Sequence, residues 1–160
     1  MTRLTYSIVQ EPRGDVYRQL IVRSVDHGDT FLLVVRGSPP LSETGQAVMS
    51  SLRAFLISRT EDSEWPGTRL LDEKATLYRF SLTPAAAAVL AAAAQGLYSW
   101  VQPDLPEDLC VFTADGSPWL VTISHEHDAF MMLFPEEKEA LAAQVPGLAL
   151  QVSGGESSAL

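Results

Sequence analysis

Residues 109–124, Leu-Cys-Val-Phe-Thr-Ala-Asp-Gly-Ser-Pro-Trp-Leu-Val-Thr-Ile-Ser, read as two β-rich runs folded at Asp115-Gly116. That dipeptide tolerates the positive φ angles of a two-residue type I′ turn, so the stretch predicts a hairpin. With Asp115 and Gly116 as the loop, Ala114 faces Ser117, Phe112 faces Trp119 and Cys110 faces Val121. Side chains alternate across a strand, so Cys110, Phe112, Trp119, Val121 and Ile123 share an apolar face that is expected to be the core. Thr113, Thr122 and Ser124 lie opposite. The same register sets Ser124 across from about position 107.

Working outward, Ala129 to Phe134 predicts a third strand, and Pro135-Glu136-Glu137 opens a short helix with its acids in the favourable first turn. Pro146-Gly147 stops that helix, leaving Leu148 to Val152 as a last strand. Upstream, Leu4 to Val9, the β-branched run Val16 to Val25 and Phe31 to Val35 read as a three-stranded meander, with a turn at Asp26-His27-Gly28-Asp29. Ser42 caps a helix through about Ser58, with Val48, Leu52, Phe55 and Leu56 at helical spacing. Thr60 to Gly67 reads as an acidic loop, followed by strands at 68–71 and 76–82. Thr83-Pro84 starts an alanine-rich helix that Gly96 ends, and Gln102 to Pro106 reads as a Pro-rich linker. The expectation is an α+β fold: a mainly antiparallel sheet of meander and hairpins packed with two longer helices and a short C-terminal one. Residues 1–152 form one domain and 153–160 a polar, flexible tail.

The 160 residues are 46% apolar, enough for a sizeable core. Residues 81–103 carry no charge, yet the alanine-rich helix within them spans only about 18 Å at 1.5 Å per residue, against the roughly 30 Å of a bilayer core. No membrane span is expected. Small side chains along that helix suit close packing within one subunit or between two, so a homo-oligomer is open. The single cysteine, Cys110, excludes an intramolecular disulfide, and Met1 to Gln10 lacks the apolar run of a signal peptide, so a cytoplasmic location is expected.

Charge is uneven. Residues 1–60 hold seven Arg and five acids, net +2; residues 61–160 hold four basic groups and fifteen acids, net −11. Phosphate binding needs Lys and Arg, so nucleic acid is disfavoured as a partner, and anionic lipid with it. A basic protein surface has the complementary sign.

The densest group of possible metal ligands is His125-Glu126-His127-Asp128. If the strand continues, His125 and His127 share a side, and with Asp128 they form a two-His, one-carboxylate set able to hold zinc or iron(II); the plainer reading is a loop between strands. A Cys110–His125 dyad is disfavoured, because the register separates them by about four residues, roughly 13 Å. Glu107 and Asp108 are adjacent, so in an extended strand their side chains diverge. No G-x-S-x-G, G-x-x-x-x-G-K-[ST] or G-x-G-x-x-G motif occurs. No cofactor is expected.

The leading expectation is a non-enzymatic binding module for a basic protein partner, of the inhibitor or immunity type. Asp104, Glu107, Asp108 and Glu126 would form its acidic rim at one end of the hairpin, with Trp100 as an aromatic anchor. The alternative is a small metal-dependent enzyme using His125, His127 and Asp128.

Overall fold

A computed structural model describes residues 2–153. Its scaffold is an eight-stranded sheet in which every neighbouring pair is antiparallel. In chain order the elements are β1 (Leu4–Ile8), α1 (Asp15–His27), β2 (Thr30–Val35), α2 (Glu43–Leu52) and β3 (Leu56–Asp62). A two-stranded hairpin, β4 (Glu64–Trp65) and β5 (Thr68–Arg69), precedes β6 (Ala75–Ser81) and α3 (Pro84–Ala93). Then follow β7 (Glu107–Phe112), β8 (Pro118–Ile123), β9 (Asp128–Leu133), α4 (Pro135–Gln144) and β10 (Leu150–Val152). The sheet runs β10-β1-β9-β8-β7-β2-β6-β3. The fold is α+β, and no described helix is long and apolar enough to cross a membrane.

The central strands are buried on both faces. In β2, Phe31 and Leu33 join the main core while the alternating Leu32 and Val34 join a second, smaller cluster. The main core lies against the helices, through Tyr17, Leu20 and Ile21 of α1, Leu52 of α2, Leu90 of α3 and Leu141 of α4. The second cluster places Cys110, Phe112 and Val121 under Trp65 from the β4–β5 hairpin. Thus Cys110, Phe112 and Val121 do share a buried face, but the larger core lies on the other side, with Leu109, Val111 and Leu120.

The hairpin keeps the expected register in its body, where Val111 faces Leu120. At the turn it departs. Phe112 faces Pro118, and Thr113 N–H donates to the Ser117 carbonyl, so the loop is Ala114-Asp115-Gly116 with Gly116 alone at φ +86°. A three-residue loop with its last residue left-handed needs one bulge to rejoin the register, which moves Trp119 into the main core.

The stretch Val16 to Val25 is helical, not a strand. Its buried residues Tyr17, Leu20, Ile21 and Ser24 recur at three-to-four spacing, and this periodicity outweighs the β-branched content. The expected 42–58 helix stops at Leu52; after one 3-10 turn, residues 56–62 form β3, where a helix end and a loop were expected. β3 is mostly exposed, so its polar sequence hides a strand held by pairing with β6 and not by burial. The alanine-rich helix begins as expected, with Thr83 Oγ1 accepting from Ala86 N–H, and packs its Ala86, Ala87 and Leu90 into the core of its own chain. Gln102 is no loose linker residue: it is buried, and its side-chain amide bonds the backbone of Arg36 and Pro39. Ser153 bonds the Thr5 carbonyl, and the rest of the expected tail lies outside the described residues.

Candidate functional site

Antiparallel pairing brings the start of β7, the end of β8, the start of β9, the end of β3 and the start of β6 to one end of the sheet. Asp108 stands at its centre. It is 1% exposed, and its backbone is left-handed at φ 57°, a conformation Asp tolerates better than most residues. Its Oδ1 accepts from Ser124 N–H at 3.0 Å, and its Oδ2 accepts from the indole Nε1 of Trp65 at 3.0 Å. Those bonds tie the end of β8 and the β4–β5 hairpin to β7.

Glu107, 6% exposed, accepts from Gln102 N–H and lies 4.0 Å from the Arg36 guanidinium. Burial pushes its carboxyl above the ordinary value, with the Asp108 charge adding to the rise and Gln102, Arg36 and His125 opposing it. The left-handed turn at Asp108 breaks the alternation that would send the two adjacent side chains apart. Glu107, Asp108 and His125 each bring one donor atom within 4.8 Å of the others. His125 Nε2 also lies 3.7 Å from Glu126, an exposed residue.

The segment between β8 and β9 is a loop, the plainer of the two readings, and lacks the extended geometry that the alternative His125–His127 pairing requires. Ser124 to Glu126 form a 3-10 turn, and His127 turns left-handed at φ 53° and stacks on Tyr98 with ring centroids 5.6 Å apart. Asp128 is exposed at the start of β9. Burial and the charges of Asp128 and Glu11 push the Tyr98 hydroxyl up to about 12. Extended-strand alternation, on which the His125, His127, Asp128 set depended, therefore fails where the chain curls.

Trp100 offers no anchor to a partner. It is fully buried, its Nε1 donates to Tyr17 Oη at 3.0 Å, and Tyr17 in turn donates to the Leu90 carbonyl at 2.6 Å. Of the acidic rim, Asp104 and Glu126 are exposed while Glu107 and Asp108 point inward. Cys110 is fully buried and its thiol is pushed up to about 12, so it supplies no thiolate at neutral pH. His27 pairs with Glu137 at 3.1 Å and stacks on Trp119.

Sequence reasoning missed Trp65 and Thr68, whose indole N–H and hydroxyl both donate to Asp108 Oδ2, because residues 60–67 read as a loop and Thr68 only as the start of a strand. The approach of the 124–125 segment to Glu107 and Asp108 was contained in the hairpin register.

No family model, no curated protein and no solved structure matches this chain.

Proposed function

We propose that this chain is a non-enzymatic binding module, inhibitor-like or immunity-like, whose acidic sheet end engages a basic surface on a protein partner. The observation that carries this reading is the gathering of carboxylates at that end by the strand register. Asp62, Glu64, Asp72, Asp104 and Asp128 are exposed there or in the 63–74 connection that starts and finishes there. None of the five enters an ion pair among the described residues. Arg69 and Lys74 are also exposed in that connection, but the carboxylates outnumber them, and the field of a predominantly acidic patch steers a basic partner into contact and selects against acidic ones. The rim is thus Asp104, Glu126 and Asp128 with the 62–72 carboxylates, over a floor held rigid by Asp108. The lone thiol suits a reducing, cytoplasmic setting.

The test is affinity capture at low and high salt with three forms: the natural chain, Asp104→Lys/Glu126→Lys/Asp128→Lys, and a control reversal at the opposite end, Glu136→Lys/Glu139→Lys. A basic protein retained by the natural chain and the control at low salt, and lost from the first variant, supports the reading. Equal retention by all three overturns it.

A second reading rests on the convergence of Glu107, Asp108 and His125. Two carboxylates and an imidazole suit a divalent cation, with ligand distances of about 2.0–2.2 Å requiring His125 to move inward. Calorimetric titration with zinc or manganese chloride tests it. Binding lost in Glu107→Gln and His125→Ala but kept in His127→Ala supports the site; no heat, or equal loss in His127→Ala, rules it out.

A further inference from the structure

The two edges of the sheet are unlike. β10 is three residues long, whereas β3 offers a seven-residue edge with β6 as its single strand neighbour among the described residues. Such an edge leaves backbone N–H and C=O groups free to pair with another strand. It lacks Pro and Lys, but carries the charged Arg59, Glu61 and Asp62, and its register with β6 shifts between Leu56 and Ser58, so the regular part of the edge is Ser58 to Asp62 and any partner must match its charges.

The strand is also self-complementary. A two-fold axis perpendicular to the sheet pairs antiparallel copies residue by residue and keeps equivalent faces on the same side. Centred on Thr60, that axis sets Arg59 of each copy opposite Glu61 of the other and Ser58 opposite Asp62. Centred on Arg59, it sets Arg59 against Arg59, which is repulsive. Arg59 is exposed and held in place by Tyr78, whose hydroxyl accepts from Nε at 3.3 Å. Glu61 shares its face, two residues along the same strand.

We infer that β3 is a self-docking edge: a second copy of this chain pairs antiparallel with it about Thr60, with two reciprocal Arg59–Glu61 contacts selecting the register. This rests on β3 alone and stands apart from the basic-partner reading.

Sedimentation velocity over a range of concentrations tests it, with thermal melts confirming that each variant folds. The natural chain should reach twice its 17.4 kDa mass. Arg59→Glu alone and Glu61→Arg alone should each weaken self-association by roughly tenfold or more, because like charges then face each other twice. The double swap Arg59→Glu/Glu61→Arg should restore it. Mixing the two single variants should yield a heterodimer, since every facing pair across that interface is again of opposite sign. A natural chain that stays monomeric overturns the proposal, as do single variants that associate as the natural chain does. A mixture of the single variants that fails to pair also overturns it.

Discussion

The indole N–H of Trp65 donates to Asp108 Oδ2 at 3.0 Å, joining the small β4–β5 hairpin to the first turn of β7. The same carboxylate takes the Ser124 N–H on its other oxygen, so one buried side chain fixes three segments at the acidic end of the sheet.

Removing that carboxylate leaves two buried donors without an acceptor, at about 1–3 kcal/mol each. It also places a less tolerant residue at positive φ. Asp108→Ala should therefore lose about 3–8 kcal/mol in urea unfolding. Asp108→Asn, which keeps one acceptor and tolerates the left-handed backbone, should lose less. Trp65→Phe should fall near one lost hydrogen bond, about 1–3 kcal/mol. Equal stability of Asp108→Ala and the natural chain would remove Asp108 from this role.

Glu107 gives a pH signature. Its folded carboxyl sits above the ordinary value because it is buried, so the fold favours the protonated form. Its contribution is fully present below the unfolded value and is lost as pH rises through the raised folded one. Glu107→Gln does not titrate and keeps an acceptor for Gln102. The melting temperature of this variant relative to the natural chain should rise between pH 4 and pH 7. A difference independent of pH, or one that falls, contradicts the assignment.

Gly116 isolates a backbone effect. A Cβ there meets nothing within 4 Å, yet φ is +86°, so Gly116→Ala should cost about 1–2 kcal/mol through conformation alone. Gly116→Asn should cost less, because Asn visits the left-handed region more readily. Chemical denaturation of the pair measures the difference, and an Ala variant as stable as the natural chain would refute the three-residue loop.

The α+β class, the 109–124 hairpin, the alanine-rich helix and the C-terminal strand-helix-strand order were legible because periodicity, caps and turn residues agreed there. Val16 to Val25 misled because β-branched residues line a helix whose buried positions still follow the helical period. β3 was hidden because Ser58-Arg59-Thr60-Glu61-Asp62 carries no apolar alternation; its order comes from β6, a neighbour remote in sequence, as in Arg59 facing Tyr78. The site was half legible. The register placed the end of β8 beside Glu107, but a left-handed Asp108 and a 3-10 turn at 124–126 are local departures from extended geometry that no alternation pattern contains. These departures turn Glu107 and Asp108 inward and separate His125 from His127.

The most direct test of the basic-partner account is a nitrogen–proton correlation spectrum of the labelled chain titrated with an arginine-rich peptide at low and at high salt. The account predicts shifts confined to the amides around Asp62 to Asp72, Asp104 and Glu126 to Asp128, weakened steeply by salt. Shifts centred on α2, α3 or α4, or spread evenly over the molecule, would contradict it.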